Sequence, residues 1–310
     1  MTQRQLGRTD LSFEPLVFGC NVLGWTLEEN DAYRVLDAFL AEGFAAVDTA
    51  DVYGRGKSET ILGNWMKSRG NRDRVLVFTK VGSDMGQGKR DLSARWIEEE
   101  VEHSLRRLRT DRIDLYQSHW PDTSVPQEET LGAYDRLVKA GKVRWIGASN
   151  HSAEMHAEAD EISAARGWPR YESEQPEYNL YARSSYEGPL QQYCVQHQVG
   201  VIPYFSLAAG FLTGKYRSEA DFGKSPRGGR MGRYLDARGK RILAAMDKVA
   251  AETGASLAEI AIAWLNAQPG ITAPIASATS VEQLQGIVRG ARLSLSAEQL
   301  QALTEAGKEG

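Results

Sequence analysis

The feature that most constrains this 310-residue chain is a repeated alternation of short apolar runs with longer stretches of helical spacing. The runs fall at residues 16–19, 45–48, 75–80, 113–119, 143–149, 171–175, 199–204 and 271–275. Between them lie segments such as NDAYRVLDAFLAEG (30–43), SARWIEEEVEHSLRRL (93–108) and TLGAYDRLVKAG (130–141), whose apolar residues recur at three- and four-residue steps. Gly43 and Gly141 stand just past two of these segments, where a helix ends. Strands separated by helices pair in parallel, and eight is the number that closes a cylinder. The expected fold class is therefore α/β: a (β/α)₈ TIM barrel, with a doubly wound sheet as the competing arrangement. Ahead of it, QRQL, GRTD and LSFEP read as an N-terminal β-hairpin ended by Pro15. An extra C-terminal helix is expected over 297–306, and nothing marks a linker, so residues 1–310 read as a single domain. Residues 216–236, rich in Gly and Arg, read as a mobile loop or lid between the seventh and eighth strands.

Composition excludes several classes of function. A net charge of −4 argues against general attraction to nucleic acid or to an anionic membrane. Only Cys20 and Cys194 occur, in no CxxC or Cys/His cluster, so no metal site is expected. Two isolated thiols, no apolar leader and no apolar segment long enough to span a bilayer fit a cytoplasmic protein. Oligomeric state is not legible.

The ends of the runs carry the chemistry. The second ends in Asp48, with Tyr53 five residues on; the third ends in Lys80, the fourth in His119. The fifth ends in Ser149-Asn150, the sixth in Gln175, the seventh in Tyr204. In a barrel all these ends open on one face, the face that bears active sites. Taken singly, each has an ordinary structural reading: a turn-forming Asp, a rim Tyr, a solvated Lys, a hydrogen-bonded His. Together, four such groups on one face suit carbonyl reduction. A phenol ordinarily loses its proton near pH 10, a lysine ammonium favours the phenolate, and a carboxylate holds the lysine. A histidine can orient the carbonyl and stabilise its growing negative charge. The hydride must come from a cofactor. Thr49, Asp51 and Ser118 share the neighbourhood and are read as structural.

At these residues the chain resembles the aldo-keto reductase superfamily. Asp48-Thr49-Ala50-Asp51-Val52-Tyr53-Gly54-Arg55-Gly56-Lys57-Ser58-Glu59 is similar to its signature D-T-A-x-x-Y-G-x-G-x-S-E. The segment IDLYQSHW (113–120) resembles the strand carrying the family's histidine, and GKVRWIGASN (141–150) its G-K-x-R-x-I-G-x-S-N strand. The resemblance implies an NAD(P)H-dependent reductase of aldehydes or ketones with Asp48, Tyr53, Lys80 and His119 as its catalytic set. It implies that Ser149, Asn150 and Gln175 hold the nicotinamide carboxamide and that Tyr204 stacks on the ring. LAAGFLTGKY (207–216), with Leu207, Gly210, Leu212 and Lys215, resembles the family's pyrophosphate-wrapping segment.

One departure concerns the adenosine end. Thr279 stands where many relatives carry an arginine for the 2′-phosphate, and Gln285 or Gly286 where they carry an asparagine for adenine. Ser277, Thr279 and Gln283 can still hydrogen-bond a phosphate or ribose, and the family favours NADP over NAD. The G-K-S at 56–58 is no triphosphate loop, because Asp51 occupies the position of its first glycine, and the segment 19–24 lacks the second glycine of a Rossmann fingerprint. Trp25 and Trp120 are expected to line the substrate pocket, with Val52 and Phe205 or Phe211 beside them, for a small-molecule carbonyl substrate. With no long tail after the last helix, the site is expected to be open. The alternative is a nucleotide-binding regulatory subunit resembling those of voltage-gated potassium channels, which share these signatures.

Overall fold

The computed structural model describes residues 2–224 and 228–308. A hairpin, β1 (Arg4–Gln5) and β2 (Ser12–Phe13), precedes eight parallel strands: β3 (Val17–Gly19), β4 (Ala46–Asp48), β5 (Leu76–Val81), β6 (Ile113–Ser118), β7 (Val143–Ser149), β8 (Tyr171–Gln175), β9 (Gly200–Val201) and β10 (Ile275–Ala276). Helices α1 (Glu29–Ala41), α2 (Lys57–Arg69), α3 (Ala94–Leu108), α4 (Gln127–Lys139), α5 (Ala153–Arg166), α6 (Pro189–His197), α8 (Leu257–Asn266) and α9 (Val281–Arg292) flank the strands, and α7 (Ala237–Thr253) and α10 (Ala297–Ala306) are additions. The strand order is β10-β3-β4-β5-β6-β7-β8-β9. The two ends meet: the Ile275 amide donates to the Pro203 carbonyl at 2.9 Å and the Thr272 amide to the Val201 carbonyl at 2.8 Å. The result is the (β/α)₈ barrel with an N-terminal hairpin.

Two strands are shorter than the apolar runs imply. The seventh ends at Val201 rather than at residue 204, and the eighth begins at Ile275 rather than at residue 271. Pro203 and Pro274 interrupt these runs, and neither has an amide to give to a ladder. Ile271 keeps only an isolated bridge to Val201.

Side chains alternate across the barrel wall with the period of two that strands impose. Val47, Val77, Tyr116 and Ile146 point outward into the layer packed by the helices. Ala46, Phe78, Leu115 and Ile202 point inward, where the hairpin closes the barrel floor with Leu6, Leu11 and Phe13. Phe13 meets Phe78 edge-to-face with ring centroids 5.6 Å apart. Each such buried side chain contributes roughly 1.5–3 kcal/mol. The floor is thus dry and tightly filled, and the inward positions two residues further along each strand fall at the opposite mouth.

A second apolar cluster joins α7, α8 and α10, and the Trp264 indole donates to the Thr304 hydroxyl at 3.0 Å. The segment 216–236 is not simply an irregular loop. Its described part winds into two 3-10 turns, Glu219–Lys224 and Gly228–Tyr234, and buries Met231 and Tyr234. Residues 225–227 of that segment, and 1, 309 and 310 of the expected domain, lie outside the described residues.

Candidate active site

The strand period that seals the floor also builds the site. Asp48 lies two residues beyond inward-facing Ala46, Lys80 two beyond Phe78, and Gln117 two beyond Leu115. Gly147 leaves room for them: a Cβ there would sit 2.1 Å from Ser173 Oγ and 3.2 Å from Gln117 Cγ. The Lys80 ammonium, fully buried, has three protons and three partners. It donates to Asp48 Oδ2 at 2.7 Å, to the Thr49 carbonyl at 2.8 Å and to Tyr53 Oη at 3.2 Å. The second carboxylate oxygen of Asp48 accepts from Gln175 Nε2 at 2.9 Å and Gln117 Nε2 at 3.4 Å. His119 meets the Tyr53 ring edge-on, with centroids 5.8 Å apart. Carboxylate, ammonium, phenol and imidazole, separated by up to 71 residues, therefore converge at one mouth of the barrel.

Gln117 was not foreseen. Its signal was available in its inward register, two positions after Leu115 on a strand already identified. Gln175, expected from the resemblance to face a carboxamide, spends its amide on Asp48 and on Gln117 Oε1 at 3.2 Å.

Burial dominates the electrostatics. It disfavours the Lys80 ammonium, but Asp48 and Tyr53 outweigh it and the Lys80 pKa rises. For Tyr53 the balance goes the other way from the simple expectation. Desolvation of the phenolate outweighs the nearby Lys80 charge, so its pKa rises above the ordinary value. Tyr53 is held as a phenol that accepts a bond from Lys80 and keeps its own proton. Burial, with Lys80 and Arg90 adding positive charge, drives the His119 pKa well down, so the imidazole is neutral.

These groups open onto a cavity of about 1360 Å³. Its wall includes Trp25, Tyr53, His119, Trp120 and Phe205; Ser149, Asn150, Gln175, Tyr204, Leu207, Gly210 and Lys215; and Ser277, Thr279, Gln283, Gly286 and Arg289. Asn150, with φ of 62°, accepts from the Tyr204 hydroxyl at 2.8 Å and donates to the His119 carbonyl at 3.1 Å. Ser149 donates to the Gln175 carbonyl at 2.7 Å. Thr279 donates both its amide and its hydroxyl to Gln283 Oε1. Two residues expected beside the pocket, Phe211 and Val52, lie elsewhere. Phe211 stacks on Tyr234 and Leu212 is buried beside it in the outer core, so neither side chain lines the cavity. Val52 is not in its wall either. Ser118 and Thr49 are tied into the scaffold through Tyr134 and Ser58.

Behind the same mouth, Glu174 points outward from β8 and its Oε2 lies 2.9 Å from His156 Nε2. Burial pushes the Glu174 carboxyl up to about 8 and the His156 imidazole down to about 4. The unfolded chain releases the Glu174 proton near its usual value of 4.5, so between that value and about 8 the native state holds a proton that the unfolded state has lost. Glu174 therefore makes stability fall as pH rises through this window. His156 acts between about 4 and 6.5, overlapping the lower part of this window with the opposite sign, because there the unfolded imidazole gains a proton that the native state refuses. Glu174→Gln is expected to gain about 1–3 kcal/mol on wild type between pH 5 and pH 8. Urea melts at the two values check this, and a constant difference rejects it.

The comparisons agree with this architecture. The sequence pattern of the Aldo/keto reductase family matches residues 15–308. Aldo-keto reductase YhdN of Bacillus subtilis (strain 168) is 34% identical over 297 residues, covering 93% of this chain and 88% of its own. Versiconal hemiacetal acetate reductase of Aspergillus parasiticus is 30% identical, with 98% and 96% covered. A protein named "Probable voltage-gated potassium channel subunit beta" from Arabidopsis thaliana is 31% identical, with 92% and 89% covered. Among the described residues no group of His, Cys, Asp and Glu is arranged to hold a metal, and no helix is long and apolar enough to cross a membrane. A barrel with this mouth and this end-to-end similarity has one family identity: the chain belongs to the aldo/keto reductase family.

Proposed function

We propose that the protein reduces aldehyde or ketone carbonyls to alcohols, using NADPH, with Tyr53 as the proton donor. The observation that carries this reading is the saturated Lys80 ammonium. Its third N–H occupies the Tyr53 oxygen, so the phenolic proton is free to pass to a group in the cavity. His119, neutral and at the same end, is suited to donate a hydrogen bond to the carbonyl oxygen. A reduced nicotinamide held along the cavity would supply the hydride to the carbonyl carbon. As bond order shifts, Tyr53 gives its proton to the developing alkoxide while Lys80, anchored by Asp48, stabilises the phenolate left behind. Acid catalysis of this kind contributes typically about 10²–10⁴-fold.

The cavity suits such a cofactor. Ala208, Ala209 and Gly210 have φ of 47°, 54° and 103°, a run of left-handed residues that turns the backbone around one point. Non-glycine residues bear a steric cost in that region, and such strain gathers at ligand sites. Lys215 Nζ lies 3.5 Å from where a Gly210 Cβ would be, and has no ion-pair partner among the described residues. We assign the pyrophosphate to this turn, the carboxamide to Ser149 and Asn150, the ring face to Tyr204, and the adenosine to Ser277, Thr279 and Gln283. Trp25 and Trp120 make the substrate end aromatic. Free buried thiols at Cys20 and Cys194 fit a reducing cytoplasm.

NADPH is preferred in this reading because the family resemblance favours it and Lys215 adds positive charge to the cavity, even though Thr279 replaces the usual arginine and Arg289 is paired with Glu259 at 2.8 Å. Titration of intrinsic fluorescence is expected to give NADPH a dissociation constant at least about tenfold below that of NADH, a difference of 1.4 kcal/mol. Equal affinities overturn the preference. The similarity to a channel subunit keeps a regulatory reading in view. Tight NADPH binding without turnover of any aldehyde or ketone in a broad panel favours that reading over the enzyme.

A further inference from the structure

We propose that Ser83 is a positioning residue that sets the tautomer of His119, forcing the ring to present an N–H rather than a lone pair to the substrate carbonyl. This rests on the proposed role of His119, but the tautomer is measurable without substrate. Ser83 Oγ lies 3.0 Å from His119 Nδ1, and both residues are buried. A neutral imidazole carries a single N–H, and its position follows from what the other nitrogen meets.

The other buried histidines show how this works. His151 Nδ1 faces the Ser149 carbonyl at 3.0 Å; a carbonyl only accepts, so that nitrogen must carry the proton. Among the described residues His119 Nδ1 meets no carbonyl and no carboxylate, only a hydroxyl, which can act either way. The choice is made by the hydroxyl's own proton. Among the described residues, Ser83 Oγ has no second hydrogen-bond partner. Were Nδ1 protonated, it would donate to Oγ and leave the serine O–H without an acceptor in a buried place, an arrangement that folded proteins avoid. The serine therefore donates, Nδ1 accepts, and the proton resides on Nε2.

The backbone around Ser83 is built to hold this geometry. Gly82, with φ of 102°, turns the chain after β5, and a Cβ there would come within 2.5 Å of Leu92 Cδ2. Gln87 Nε2 donates to the Ser83 carbonyl at 3.0 Å, and its Oε1 accepts from the Met85 amide at 2.7 Å. The main chain that carries the ring is fixed as well, because the His119 amide donates to the Val81 carbonyl at 2.8 Å.

The test is a long-range proton–nitrogen correlation spectrum of the histidine side chains, assigned with His119→Gln, for wild type, Ser83→Ala and Ser83→Thr. Wild type and the threonine variant are expected to hold the His119 proton on Nε2 alone. The alanine variant is expected to give a mixed or reversed pattern, with kcat lower by at least about tenfold and NADPH affinity unchanged. A His119 spectrum and kcat identical in Ser83→Ala and wild type overturn the proposal. If the spectrum changes as expected but no form of the protein reduces a carbonyl, the tautomer assignment stands and the reductase reading falls.

Discussion

Tyr53→Phe is expected to lower carbonyl reduction by about 10²–10⁴-fold while the dissociation constant for NADPH stays within about threefold of wild type. The substitution deletes one oxygen and keeps the ring that meets His119 edge-on. Cofactor affinity is expected to survive because Tyr53 is assigned no contact with it beyond the reacting end of the cavity. Catalysis is not, because the remaining groups cannot replace the phenol. Lys80 is buried and bound to Asp48 and the Thr49 carbonyl, and His119 is neutral, with a pKa too depressed to serve as an acid near neutrality. Stopped-flow reduction of an activated aldehyde, with a parallel fluorescence titration of NADPH, separates the two quantities. Wild-type turnover in the phenylalanine variant reassigns the proton to water or to His119.

The barrel was legible because two periodicities agree along the chain: alternation within each strand run, and helical spacing between runs. The convergence of Asp48, Tyr53, Lys80 and His119 followed from the same logic, since parallel strands bring their ends to one rim. What escaped was set by neighbours across the barrel. Gln117 looked like one more strand residue until its register placed it under Asp48. Phe211 lies inside a motif that suggested cavity contacts, yet the turn through Gly210 sends its side chain into the outer core. The seventh and eighth strands are shorter than their apolar runs because Pro203 and Pro274 sit within them, and an apolar run does not reveal a missing amide. The direction of the Tyr53 shift depended on depth, which no pattern of residues encodes.

Depth also governs the second large effect. Lys80→Met removes the ammonium from a carboxylate with almost no access to solvent, leaving Asp48 only the amides of Gln175 and Gln117. Breaking a buried pair on one side typically costs about 3–5 kcal/mol, because the surviving charge loses its partner without regaining water. The single variant is therefore expected to melt well below wild type. Asp48→Asn combined with Lys80→Met leaves two neutral groups of similar shape, and much of that loss is expected to return. Activity is expected not to return. Tyr53 loses the charge that lowers its pKa, so it becomes a weaker acid, and the alkaline fall in rate moves to higher pH in both variants. Thermal melts and pH–rate profiles of the two singles and the double thus pull stability and catalysis apart. If the double variant recovers turnover along with its melting temperature, Lys80 and Asp48 only support the fold, and the proton relay through Tyr53 must be abandoned.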